Sequence, residues 1–299
     1  MQICVIDVGG SHVSDGTFDV TDGQLLRRRT STLFTDGSSH HPLKILHAIA
    51  EQSNGFSGEP IAGMSLAVPS PFDFVAGVSR MRHKLEQLYG IDLKRCLSEI
   101  AHIPFDSCVF LNDADAFLLG ALTNSGSPNL PSLGIALGTG IGSAFADEGE
   151  ILTSGIGVPP EGEIWNLSFE EGTIEDAIST KALVDAYRSR TGKVSTVKSI
   201  AEMARAGDQD AMGAFGQFGR TLGQVLSELC QKFPAKQIFL GGGICAAGDL
   251  FFPEVQQALS GSQEIILVED QASAPLLGAG VAWQRVMSKR SAQGSSKRR

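Results

Sequence analysis

Ile3-Cys4-Val5-Ile6-Asp7-Val8-Gly9-Gly10-Ser11 stands at the start of the chain. An apolar run carries a carboxylate near its end, then two glycines and a hydroxyl. Such a run reads as a strand feeding a tight turn. A Gly turn after a strand aims backbone N–H groups at a phosphate, and Asp7 sits where a metal ion could be held. One such pattern is common, but this chain repeats it. Leu137-Gly138-Thr139-Gly140-Ile141-Gly142 follows a second apolar run, and Ile238-Phe239-Leu240-Gly241-Gly242-Gly243 contains the third. Neither a P-loop nor a G-x-G-x-x-G dinucleotide fingerprint follows the first strand. Three strand–Gly turns spread along one chain predict a nucleotide cleft built by both halves of the protein.

The composition is that of a globular chain. Its 299 residues allow one large or two medium domains, with 42% hydrophobic and 19% charged residues. The 35 glycines exceed the usual share of about 7%, which suits many tight strand-end turns. A net charge of -9 argues against nucleic acid as a partner. No apolar stretch reaches the ~18 residues of a membrane span, and no basic n-region of a signal peptide opens the chain. The five cysteines, Cys4, Cys96, Cys108, Cys230 and Cys245, are scattered and lie mostly in apolar runs. Free thiols in a cytoplasmic protein are the expectation.

Periodicity orders the elements. Strands are read over 3–7, about 13–20 and 24–32, with Asp22-Gly23 as a hairpin turn. Pro42 opens a helix with Leu43, Leu46, Ile49 and Ala50 on one face. A strand over 61–68, a helix through Leu93, Leu97 and Ile100, and a strand over 108–111 complete a βββαβαβ unit. The second half repeats it, with strands at 133–137, 143–146, 236–240 and 264–268. Helices are expected over about 173–189, 195–206 and 209–232, and from Pro275 through Trp283. The basic segment 289–299 reads as a disordered tail.

Between the first two Gly turns lies Val109-Phe110-Leu111-Asn112-Asp113-Ala114-Asp115-Ala116, a strand that ends in Asn-Asp and turns into a helix. Together with Ala67-Val68-Pro69-Ser70-Pro71, Gly138-Thr139-Gly140, Gly162-Glu163-Ile164 and Gly241 to Gly243, it resembles the ROK family (repressors, open reading frames, kinases) from residue 3 to about 283. The resemblance implies an α/β fold of the two-domain, actin-like ATPase (ribonuclease H-like) type with an interdomain active-site cleft. The implied domains are 1–115 plus 276–288, and 116–275, with a hinge near 113–116. It also implies a homodimer acting on a small-molecule sugar; the charge and hydropathy add the expectation of no nucleic acid and no membrane partner.

Phosphoryl transfer to a sugar hydroxyl needs a held triphosphate, Mg²⁺ to neutralise its charge and a group to take the hydroxyl proton. Gly9, Gly10 and Ser11, with Gly138, Thr139 and Gly140, are the expected phosphate donors. Asp7 suits Mg²⁺ held through water, and Gly241, Gly242 and Gly243 leave room for the adenosine of ATP. Asp113 is the expected general base; its alternative role is to cap the following helix. The resemblance implies sugar contacts at Ser70, Lys84, Asn112, Glu163, Asn166 and Glu175. For Glu163 and Glu175 the alternative is a solvated acidic stretch.

The sugar pocket departs from the family pattern. The family's G-E-I-G-H reads Gly162-Glu163-Ile164-Trp165-Asn166 here, and the zinc-ligand His is replaced by Asn166. No Cys or His lies between residues 109 and 229, so no zinc is expected. Lys84 stands in register with the family's sugar-binding Asn, and Ser70 stands where Gly is usual. The expected activity is ATP- and Mg²⁺-dependent phosphorylation of a hexose, glucose or a related sugar, to its 6-phosphate. The alternatives are a non-catalytic, sugar-binding regulatory protein and a kinase using polyphosphate.

Overall fold

Why the opening strand is apolar at nearly every position is explained by its place in a sheet. In the computed structural model, which describes residues 1–9, 12–32, 61–82, 85–259 and 261–296, β1 (Gln2–Val8) is the middle of five strands. Ile3 and Val5 face a core containing Leu276, Ala279 and Trp283. Cys4, Ile6 and Val8 face another containing Leu66, Leu93 and Leu97. A strand covered on both faces is continuously apolar rather than alternating. The expectations for Gly10, Ser11, Lys84 and the helix opened by Pro42 lie outside the described residues.

Two units divide the chain, Met1–Ser125 with Asp270–Arg299, and Gly126–Glu269. In the first, β1 pairs antiparallel with β2 (His12–Asp19), which pairs antiparallel with β3 (Gln24–Thr32). On its other side β1 runs parallel to β4 (Met64–Val68), and β4 parallel to β7 (Cys108–Asn112). A short hairpin, β5 (Phe72–Asp73) and β6 (Val78–Ser79), follows β4. Helix α1 (Leu93–Ala101) follows, capped by Asp92, whose carboxylate accepts from the Arg95 N–H at 2.9 Å.

The second unit repeats the plan. β8 (Ser132–Leu137) pairs antiparallel with β9 (Ile141–Asp147), which pairs with β10 (Glu150–Leu152). β8 is parallel to β13 (Gln237–Gly241), and β13 to β14 (Glu264–Leu267). Between them lie the hairpin β11 (Ser168–Phe169) and β12 (Gly172–Thr173), then α3 (Ile174–Ile178), α4 (Thr180–Thr191), α5 (Val197–Arg205) and α6 (Gln209–Lys232). The single helix expected over 173–189 is two, because Ser179 leaves helical geometry (φ -93°, ψ 175°) and caps α4 at the Ala182 N–H. A 3-10 segment (Gly243–Leu250) and α7 (Phe252–Ala258) connect β13 to β14.

Helix α2 (Asp113–Thr123) belongs to the first unit because it lies along the final helix, α8 (Ala274–Ser296). Their backbones nearly touch. A Cβ on Gly120 would fall 1.8 Å from the Ala274 carbonyl oxygen, and one on Gly278 would fall 1.8 Å from that of Ala116. No side-chain rotation relieves a clash with backbone, so Gly278→Ala must push the helices apart. We expect a loss at the upper end of about 1–3 kcal/mol, seen as a lowered thermal midpoint; an unchanged midpoint would show that the contact is not tight. Up to Ser296 the tail expected to be disordered continues α8 instead. Lys289, Arg290, Ala292 and Gln293 are good helix formers, and the Arg290 guanidinium donates to the Asp106 carbonyl. Among the described residues, no helix is long and apolar enough to cross a membrane.

Candidate active site

In parallel sheets, ligands gather outside the carboxyl ends of the strands. Three such ends meet in the first unit. Asp7 of β1 pairs in register with Ala67 of β4, and Ala67 with Leu111 of β7. The next residues along are Gly9, Ser70, Asn112 and Asp113, so the topology brings these expected site residues to one edge.

The β7–α2 junction assigns the cap. The Asn112 side-chain oxygen accepts from the N–H of Ala114 at 2.8 Å and of Asp115 at 3.3 Å. Its amide nitrogen donates to the Ser70 hydroxyl at 3.0 Å. Asp113 is the first residue inside the helix; its carboxylate accepts from the Ala114 N–H at 2.9 Å. Asn112 is therefore the N-cap, and Asp113 is a second acceptor for the Ala114 N–H.

Asp7 is partly buried, and among the described residues no cation or hydrogen-bond donor is paired with it. Burial, reinforced by the negative charge of Asp113, pushes its carboxyl up to about 7. Two neighbouring carboxylates of this kind fit Mg²⁺, which keeps several waters and needs only one or two carboxylates from the protein. Among the described residues, no group of three or more His, Cys, Asp or Glu side chains could hold a metal ion.

In the second unit the Gly turn after β8 is closed from within. The Gly138 N–H donates to the Gly140 carbonyl at 3.1 Å, and the Gly138 carbonyl accepts from the Thr180 N–H at 2.9 Å. Gly138 thus shapes the turn, while Thr139 is exposed. Glu175 packs against the same turn. Its Oε2 accepts from the Ile141 N–H at 3.0 Å and leaves Gly140 no room for a Cβ, which would lie 2.6 Å away.

The loop carrying Glu163 is pinned to β9. Ser143 Oγ donates to the Gly162 carbonyl at 2.6 Å and accepts from the Ile164 N–H at 3.1 Å. Glu163 Oε2 accepts from the indole N–H of Trp165 at 2.9 Å, and Asn166 is exposed. The third Gly turn lies against the end of β8. Gly242 has φ +91°, and a Cβ there would fall 2.2 Å from the Leu137 carbonyl oxygen; Gly243 faces open space. Gly241 ends β13, and its carbonyl accepts from the Cys245 thiol at 3.1 Å.

The structure therefore gathers Asp7, Gly9, Ser70, Asn112 and Asp113 in one unit. In the other it gathers Gly138, Thr139, Gly140 and Glu175, with Glu163 beside Trp165 and the Gly241–Gly243 turn on β8. The reading of the sequence missed Ser143 and Trp165. The offset from Glu163 to Trp165 is visible in the sequence, but the bond between them depends on a loop conformation that periodicity does not encode.

The architecture matches known folds. A ROK family glucokinase from Streptomyces griseus, solved in complex with glucose and AMPPNP, superposes with a TM-score of 0.76 at 20% identity, over 94% of this chain and 99% of that one. The fold is the two-domain, actin-like ATPase fold. The glucokinase of Thermotoga maritima is 25% identical over 315 residues, covering 93% of this chain and 96% of its own length. The polyphosphate glucokinase of Mycobacterium tuberculosis is 32% identical over 150 residues, 49% of this chain and 54% of that protein. The ROK family model matches residues 3–285, and the chain belongs to the ROK family.

Proposed function

We propose that this ROK protein is an ATP-dependent sugar kinase that phosphorylates a hexose, with glucose the first candidate, at its 6-hydroxyl. Asp113 accepts the hydroxyl proton as the sugar oxygen attacks the γ-phosphorus and the bond to the β-phosphate oxygen breaks. Asn112 and Ser70 form a linked polar pair; the second amide hydrogen of Asn112 is left to meet a sugar hydroxyl. Glu163 and Glu175 supply further acceptors. Thr139 and Gly140 offer N–H groups to phosphate oxygens, as do the residues after Asp7, and Gly243, which faces open space, leaves room for adenosine. Asp7 holds Mg²⁺, which when bound neutralises phosphate charge. The observation that carries this reading is the placement of Asp113 beside the partly buried Asp7 at the carboxyl edge of β1, β4 and β7, with Asn112 tied to Ser70 next to it.

The test is ADP release, measured by a coupled assay over a panel of hexoses and N-acetylhexosamines. At least one sugar should raise ADP release far above the sugar-free rate. No response to any sugar would contradict the proposal. A second donor is favoured by one observation, the identity to a polyphosphate glucokinase over half of this chain. Replacing ATP with polyphosphate in the same assay, with sugar phosphate as the readout, decides the donor. The open space at Gly243, as the seat of the adenosine, favours ATP.

A further inference from the structure

A line of hydrogen bonds in the second unit runs through Trp165. Its indole N–H donates to Glu163 Oε2 at 2.9 Å. Its carbonyl accepts from the Glu175 N–H at 3.1 Å. The Glu175 carboxylate in turn holds the Ile141 N–H of the second Gly turn at 3.0 Å. One residue thus touches both glutamates expected to meet the sugar. The ring itself is not core. Ile164 beside it is fully buried, whereas Trp165 is 43% exposed. A large aromatic side chain held in solvent, with its polar edge fixed to a carboxylate, presents a flat apolar face in a set orientation.

We infer that Trp165 is a specificity-determining positioning residue of the sugar pocket. Its ring is a platform for the C–H face of a pyranose, and its N–H fixes Glu163 so that the other carboxylate oxygen meets one sugar hydroxyl. The inference rests on the reading of Glu163 as a sugar contact. The chemistry is general. The face of an indole is electron-rich, and the C–H bonds of a pyranose face are its complement. A carboxylate held by a neighbour keeps one orientation, and a fixed acceptor penalises a sugar that lacks the matching hydroxyl, because the acceptor is then left without a partner.

The chain has two tryptophans, so fluorescence can isolate this one. Trp283 is 4% exposed, and its N–H is bonded to the Ser107 carbonyl at 2.9 Å. Acrylamide quenching of the native protein therefore reports on Trp165. The probe is D-glucose, or the hexose of the panel with the highest kcat/KM if glucose is inactive. Saturating sugar should shift the emission to the blue and at least halve the quenching constant. Trp165→Phe keeps a ring but loses the N–H. It should raise the sugar KM about tenfold, leave kcat and the ATP KM within about twofold, and reduce discrimination against one deoxy analogue of the sugar about tenfold. Trp165→Ala should raise the sugar KM further. A protein that turns over sugar while its quenching ignores the sugar, with both variants keeping the native KM and deoxy-sugar discrimination, overturns the inference and leaves the kinase reading standing. Absence of turnover with every sugar overturns the kinase reading, and with it the foundation of this inference.

Discussion

Asp113→Asn is expected to fold like the native protein and to turn over about 10²–10⁴-fold more slowly, the usual contribution of one general base. Asparagine keeps the volume and can still accept from the Ala114 N–H, as the Asp113 carboxylate does. The helix keeps its cap, since Asn112 makes both capping bonds. Loss of the first-turn carboxylate charge at the helix N-terminus costs about 0.3–1 kcal/mol. A second readout is independent of turnover. Asp113 helps to raise the Asp7 carboxyl, so in the variant Asp7 should titrate lower. Turnover within a few-fold of native, with the best sugar of the panel, would remove Asp113 from the mechanism.

Asp7→Asn should abolish Mg²⁺-dependent turnover and at the same time make the free protein more stable at alkaline pH. The folded state holds the Asp7 proton up to about pH 7, against an ordinary value of 3.8. The native state therefore binds more protons than the unfolded state between about pH 4 and pH 7. Stability from this group falls as the pH rises through that window and is constant above it. An amide does not titrate. The variant should match the native protein near pH 4 and exceed it above pH 7. A shift of this size is on the order of 4 kcal/mol, or roughly 10 °C in melting temperature. Mg²⁺ with an ATP analogue should raise the midpoint of the native protein and leave the variant unchanged. A variant that melts lower than native at pH 8 would contradict the assignment of Asp7 as a carboxylate held in reserve for a cation.

What the sequence made legible was governed by burial. β1, β4, β7, β8 and β13 are buried over most of their length, and their apolar runs show it. The Gly turns were legible because backbone approach excludes a Cβ, as at Gly242 against Leu137. The two-residue strands at 72–73, 78–79, 168–169 and 172–173 carry too few residues for any period to emerge. The break at Ser179 was signalled only by a capping residue type inside a helical pattern. The reach of α8 to Ser296 was hidden because a charged stretch reads alike as coil or as exposed helix. At the site, residue types could be read but their partners could not. Nothing in the spacing of Asn112 and Ser70, or of Glu175 and Ile141, announces the bonds that join them.

The most direct test of the central claim is phosphorus NMR of a reaction containing the protein, ATP, Mg²⁺ and D-glucose or the best hexose of the panel. A hexose kinase acting at the 6-hydroxyl gives equimolar ADP and a phosphomonoester whose phosphorus couples to the two protons on C6, with little inorganic phosphate in the presence or absence of sugar. ATP converted to ADP and inorganic phosphate at the same rate with and without each sugar would contradict it, and would make the protein an ATPase.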